Sequence, residues 1–163
     1  MIVGKKVVYP SQGPCRIECV VEKVADGKPI LFYRLALLDD TGGELLVPAD
    51  KAQAIGIRLL LDRADIPKLL RHLKKGAKAA TNWKQRAIDN LKLITSGSAF
   101  DLAEVIESLT DLKDGKGLSP AETRTLEKAR RLLVCEIAEV TGETRSAAEQ
   151  QLDSALKSRD NIK

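Results

Sequence analysis

The segment Cys15-Arg16-Ile17-Glu18-Cys19-Val20-Val21-Glu22-Lys23-Val24-Ala25-Asp26-Gly27-Lys28-Pro29-Ile30-Leu31-Phe32-Tyr33-Arg34-Leu35-Ala36-Leu37-Leu38 decides the fold class. Its two β-rich halves flank Asp26-Gly27, a dipeptide suited to a two-residue hairpin turn. Alternation puts Cys15, Ile17, Cys19 and Val21 on one face of the first strand. Working outward, Val7-Val8-Tyr9 reads as a strand ended by Pro10 and a turn at Ser11-Gln12-Gly13-Pro14. On the other side, Asp39-Asp40-Thr41-Gly42-Gly43 turns the chain into a short strand, Glu44 to Val47, stopped by Pro48. A helical turn near Ala49–Ala54 and the breaker Gly56 precede Ile57-Arg58-Leu59, which can close the sheet. Five short strands within the first sixty residues predict a small, closed or nearly closed barrel, because closure hides edges that aggregate.

From residue 62 the period becomes helical. Asp65 is placed to cap a helix with the stripe Ile66, Leu69, Leu70 and Leu73, ended by Gly76. Thr81 or Asn82 caps the next, with Trp83, Ala87, Leu91 and Ile94 on one stripe. Ser98-x-x-Asp101 opens a third, carrying Leu102, Val105, Ile106, Leu109 and Leu112, with Gly115 and Gly117 behind it. Ser119-Pro120-Ala121-Glu122 is a capping box opening a fourth helix, to about Val140, that buries Leu126, Leu133 and Ile137. Thr144 caps a fifth, with Ala148, Leu152 and Leu156 inward, and Ser158–Lys163 reads as a frayed tail. Strands first and helices second predict an α+β chain of two modules, residues 1–60 and 61–163, joined near Leu59–Asp65.

At 163 residues and 17.8 kDa, 44% hydrophobic and 31% charged, the chain can bury a core and remain soluble. Its apolar runs fall far short of the roughly 20 residues that span a bilayer, and Met1 to Lys6 lacks a signal-peptide core. The expectation is a cytoplasmic protein without membrane contact. Three cysteines form no disulfide framework. Cys15 and Cys19 lie about 13 Å apart along a strand, and Cys135 sits in an apolar helix; all three read as small buried hydrophobes. His72 is the only histidine, so no His/Cys metal cluster is expected; on a basic helix it reads as solvated. Phosphate-loop, dinucleotide and nucleophile-elbow motifs are absent, no carboxylate pair stands out, and neither an enzyme nor a cofactor is expected. An aromatic cage fails as well, since of Tyr9, Phe32 and Tyr33 the last two point to opposite faces.

The net charge of +4 is unevenly placed: +1 over residues 1–60, +6 over 61–100 and −3 over 101–163. The basic segment contains Arg63, Lys68, Arg71, Lys74, Lys75, Lys78, Lys84, Arg86 and Lys92. Such a local field attracts polyanions, although a charge run also makes an ordinary solvated helix face. Trp83, the single tryptophan, lies in that segment within Thr81-Asn82-Trp83-Lys84-Gln85-Arg86. Two readings stand. Periodicity makes the ring a core anchor; its basic surroundings make it a wedge at a weakened base step.

Motifs in both halves carry a resemblance. They are Val3-Gly4-x-x-Val7-Val8-Tyr9-Pro10-x-x-Gly13, Val47-Pro48, Gly56-Ile57-Arg58, Asn82-Trp83-x-x-Arg86, Asn90-Leu91 and Leu102-Ala103-Glu104-Val105. A last stretch runs from Leu118-Ser119-x-x-Glu122 through Leu126, Ala129-Arg130, Leu132-Leu133-Val134 to Glu136. In order and spacing the chain resembles the CarD/CdnL family of bacterial transcription regulators, from about residue 2 to 157. The resemblance implies a Tudor/SH3-like β-barrel that docks on the RNA polymerase β subunit, followed by a compact all-α domain of about five helices. It further implies that Trp83 wedges into the minor groove of promoter DNA at the upstream bubble edge and holds the open complex, largely without regard to sequence. The implied DNA-contacting set is Trp83, Lys84, Arg86 and Lys92, with Arg71 and Lys74 from the basic segment; the polymerase-contacting set is Lys23, Leu46 and Pro48. Where the family is often more basic after the tryptophan, this chain has Gln85, Ala87 and Ile88, and Leu46 stands where some members carry arginine. Leu46 is open between barrel core and partner contact, because strand register is undetermined. The expected protein is a monomer; its rivals are a polymerase-binding adaptor without useful DNA contact and an RNA- or single-strand-binding module.

Overall fold

The computed structural model describes residues 2–75 and 82–160, with side chains described as far as Ser158. The helix end at Gly76, the cap at Thr81, Lys78 and residues 161–163 lie outside the described residues. Five antiparallel strands come first: β1 (Lys6–Tyr9), β2 (Gly13–Ala25), β3 (Lys28–Leu37), β4 (Glu44–Pro48) and β5 (Arg58–Leu59). They are hydrogen-bonded in the order β4-β3-β2-β1-β5. A 3-10 turn (Ala49–Lys51) and the short α1 (Ala52–Ile55) lead into β5. Then follow α2 (Asp65–Leu73), α3 (Trp83–Thr95), α4 (Ala99–Gly115), α5 (Pro120–Thr141) and α6 (Arg145–Asp160). The fold is α+β, a strand module and then a helical one.

The β2–β3 hairpin turns where Asp26-Gly27 placed it. Both residues take positive φ, 52° and 75°, which is the two-residue turn whose twist matches its strands. One feature of β2 overturns the simple alternation. Ile17 pairs with Leu35, but Cys19 pairs with Arg34, so Glu18 is an extra residue and the register shifts there. A bulge of this kind turns the following side chains over. Cys15 and Ile17 therefore enter the sheet's core with Val7, Leu35, Val47 and Ala52, while Cys19 and Val21 join the row of Arg34 and Phe32 on the outer face. Cys19 is half-buried, not a core residue; Cys15 and Cys135 are buried, and burial pushes the Cys15 thiol up to about 11 and raises that of Cys135.

The helical core joins Leu69 and Leu73 of α2, Ile94 of α3, the α4 stripe, Leu126, Leu133 and Ile137 of α5, and Ala148, Leu152 and Leu156 of α6. The capping box forms as the sequence predicts, with Ser119 accepting from the Glu122 N–H and Glu122 reaching back to Ser119. Thr144 Oγ1 accepts from the Ala147 N–H at 3.1 Å. Asp65 is not a cap. It is the first residue of α2, and its carboxylate turns back to accept from the Asp62 N–H at 3.2 Å, outside the helix. The tail read as frayed from Ser158 continues α6 to Asp160.

The modules are bolted together. Arg58 of β5 forms a two-pronged pair with Glu136 of α5, at 2.8 and 2.7 Å, and the Leu61 N–H donates to the same carboxylate at 2.9 Å. Arg58 Nε also donates to the Gly97 carbonyl. Gly97 has φ of +89°, and a Cβ there would lie 3.2 Å from both the Gly56 carbonyl oxygen and Pro10 Cγ, so the close approach needs glycine. Lys6 meets Glu139 at 2.8 Å, and Arg145 reaches Asp40 at 2.9 Å and the Leu38 carbonyl at 2.8 Å. Glu136 is 1% exposed, so truncating its partner strands a buried charge. We predict that Arg58→Ala lowers unfolding stability by about 3–5 kcal/mol. Adding Glu136→Ala should cost less than the sum of the two singles, as read by a denaturant double-mutant cycle.

Candidate functional site

Two surfaces matter, one on each module. On α3, Asn82 caps the helix, its side-chain oxygen accepting from the Lys84 N–H at 2.8 Å and the Gln85 N–H at 3.4 Å. This sets Trp83 at the first helical position, where the residue is 65% exposed. The Lys84 ammonium sits 5.6 Å from the ring centroid, close enough for a cation–π contact. The stripe Trp83, Ala87, Leu91 and Ile94 does not enter the core; only Ile94 does. Helix α3 is instead rolled so that half-buried Arg86 and Leu93 and buried Asn90 and Ile94 face α4 and α5. Trp83, Ile88 and Leu91 are left outside, and the core-anchor reading of Trp83 falls.

Arg86 explains the roll. Its guanidinium binds Glu122 through Nε at 3.0 Å and a terminal nitrogen at 3.4 Å, with both side chains largely buried. Glu122 is also the last member of the α5 capping box, so one carboxylate ties α3 to the start of α5. The Arg86 bond, and then the Ser119 backbone N–H, hold its carboxyl below the usual carboxylate range against the opposing effect of burial. Periodicity missed this because arginine at a helix interface scores as a surface residue. The signal available in the sequence was Arg86 and Glu122 occurring within the same set of motifs.

The remaining basic residues separate. Lys84 and Lys92 are exposed on α3. Arg71 is exposed near the end of α2, and Lys74, just beyond it, lines a groove between α2 and α6. Helix α2 packs on α4 and α6, whereas α3 packs on α4 and α5. Beside Leu91, a groove of about 450 Å³ runs between α3 and α5, with Ala87 and Ile94 on one wall and Arg124 and Lys128 on the other. Those two α5 cations went unremarked in the sequence. His72 is only partly solvated, its side chain 34% exposed: its Nδ1 lies 2.7 Å from Oε1 of buried Glu107, and its ring meets Phe100 edge-on at 5.7 Å. A lone histidine and a helical glutamate 35 residues apart carry no joint signal in the chain.

On the sheet, the register brings Lys23, Leu46 and Pro48 to one face. Leu46 stands in a row with Arg34 and Cys19, Pro48 with Phe32 and Val21, and Lys23 opposite Ile30. Leu46 is 43% exposed while its neighbours Leu45 and Val47 fill the core, which closes the core alternative. The Lys23 ammonium lies 6.0 Å from the Phe32 ring centroid, on that same face. β4 ends the hydrogen-bonded order, so one of its edges has no strand beside it among the described residues. Among the described residues no cluster of three or more metal-ligating side chains occurs, and no helix is long and apolar enough to cross a membrane.

A sheet module with a mixed apolar and basic outer face, locked to a helical module that displays a tryptophan, defines a two-module binding protein. Comparison with known proteins gives its kind. Residues 1–60 match the CarD-like/TRCF RID domain and residues 67–153 match the CarD C-terminal domain. The chain belongs to the CarD family, and it is accordingly a transcription-associated, RNA polymerase-interacting regulator of a non-enzymatic family. It is 26% identical over 145 residues to YdeB of Bacillus subtilis (strain 168), covering 87% of this chain and 93% of that one. It is also similar to the solution NMR structure of the 72-residue N-terminal domain of Myxococcus xanthus CarD. That match is 37% identical over 36% of this chain and 77% of that one, with a TM-score of 0.31.

Because the folded carboxyl of Glu122 is depressed, the stability it contributes is present above the unfolded value and is lost as pH falls through the folded one. Glu122→Gln should therefore cost about 1–3 kcal/mol at neutral pH. The gap to wild type should shrink as pH drops below about 4, as measured by denaturant melts across pH.

Proposed function

We propose that the strand module, residues 1–60, docks on the RNA polymerase β subunit through the face of Lys23, Leu46 and Pro48, and that the helical module, residues 61–163, holds the open promoter complex. Trp83 inserts at the minor groove of the upstream bubble edge. Its exposure at the tip of α3 is the observation that carries the reading, since a buried ring could not reach a base step. A fork already has one unpaired side, so unstacking there costs less than in duplex, and a ring can fill the opened space. An advantage of about 1.4 kcal/mol for the open form raises its population about tenfold.

Lys84 and Lys92, exposed on the same helix, serve the phosphates, and Arg124 and Lys128 across the groove extend that path. Arg86 acts through Glu122 by holding α3 in the roll that turns Trp83 outward, so its role is positioning. Arg71 and Lys74, on another part of the helical module, add a general positive field. The partner's face suits the exposed edge of β4, which can accept a strand from polymerase by β-augmentation until Pro48 ends it. With modules locked together, docking of one gives the other a high effective concentration at the fork. The protein works in the cytoplasm as a monomer, by binding alone, on promoters of many sequences, because the minor groove discloses little beyond A·T against G·C.

The adaptor alternative keeps the polymerase contact and drops the DNA contact, so the two part on one variant. Trp83→Ala should abolish the gain in open-complex lifetime on a fork-junction promoter, while polymerase binding stays within twofold of wild type and the melting temperature within about 2 °C. An unchanged lifetime would leave the adaptor.

A further inference from the structure

The β2–β3 hairpin is longer than the sheet that supports it. β4 covers β3 only from Phe32 to Ala36, so among the described residues the arm from Glu22 through the Asp26-Gly27 turn to Leu31 has no third strand. Two-stranded ribbons of this length are marginal by themselves in water. One face of the arm bears Lys23 and Ile30 and continues into the Phe32, Leu46 and Pro48 face assigned above to polymerase. The opposite face continues the core side of the sheet. There Val20 pairs with Tyr33, Glu22 with Leu31 and Val24 with Pro29. Beyond the core these side chains are largely open among the described residues: Val20 is 46% exposed, Leu31 52% and Val24 74%.

We infer that Val20, Val24 and Leu31 form a second contact with the same RNA polymerase, so that the arm is gripped on both faces; this rests on the docking proposed above. Continuity selects the occupant. The two faces belong to one layer of backbone, with side chains on either side of it, so a partner seated on the Lys23–Phe32 side already borders the tip of the arm. Val24 and Leu31 on the unsupported ribbon, with Val20 next to them where β4 begins to cover β3, group large aliphatic side chains on one side, an aggregation hazard in a free protein. The row contains one charge, Glu22 between Val20 and Val24, which keeps the free arm in solution. Lys28 at the turn lies on the other side, opposite Ala25. A partner surface that is apolar with a basic spot for Glu22 fits this side, and it differs from the one that fits Lys23.

The test uses the whole chain and purified RNA polymerase. The double variant Val24→Ser/Leu31→Ser alters the new face, and Leu46→Glu alters the docking face proposed above. Because both sites are exposed, the free proteins should melt with wild type, which separates lost contact from lost fold. The double variant is expected to raise the polymerase Kd about tenfold. If it binds as wild type while Leu46→Glu binds poorly, the second contact is overturned and the first stands. Should both bind as wild type, the docking face itself is wrong and this inference fails with it. Sedimentation gives the last arm: a wild-type dimer that Val24→Ser/Leu31→Ser converts to monomer assigns the face to a second copy of this chain and overturns the proposal.

Discussion

Everything in this molecule that depends on distance depends on the Arg58–Glu136 pair. A guanidinium in the last strand grips a carboxylate in the middle of the longest helix, and that carboxylate also takes the Leu61 N–H where the chain leaves the sheet. The geometry satisfies both oxygens of a group that is almost wholly withdrawn from water. Such a pair contributes little net stability relative to an apolar substitute, but losing one half is severe. What it supplies is registry. The strand module and the helical module meet in one orientation, reinforced by Gly97 against Pro10 and by the outer Lys6–Glu139 and Arg145–Asp40 pairs. For the two-partner role proposed above, a fixed angle between the surfaces avoids the entropy of finding it anew.

Within the helical module the same device recurs at smaller scale. Glu122 caps α5 and holds Arg86, and so sets the rotation of α3. The consequence is an inversion of the usual amphipathic rule: a charged residue faces inward and Trp83, Ile88 and Leu91 face out. Helices do this where an ion pair is satisfied inside and the apolar flank has a use outside. Trp83 beside Lys84, at a capped helix start, is a stiff apolar blade with a cation at its base.

The sheet makes a comparable exchange. Its bulge at Glu18 turns Cys19, Val21 and Lys23 onto the outer face, and without that one extra residue the row of Lys23, Phe32, Leu46 and Pro48 would not assemble. The β2–β3 arm then extends past its support with aliphatic side chains on one face and a mixed basic and apolar set on the other.

The division of strands from helices, the Asp26-Gly27 turn, the Ser119–Glu122 box, the Asn82 cap and the buried stripes of α4, α5 and α6 were all determined by local chemistry, and the chain alone carries them. Turn dihedrals, cap acceptors and the 3.6-residue period act within a few residues, so neighbouring letters are enough. The outward roll of α3, the engagement of His72 by Glu107, the bulge that turns Lys23 over and the depth of Leu46 were decided only in three dimensions. Each depends on a partner between 12 and 36 residues away, Arg34 for both Cys19 and Leu46, Glu107 for His72 and Glu122 for Arg86. An ion pair across helices outweighs an apolar stripe when it is buried and fully bonded, and no window along the chain contains both of its halves.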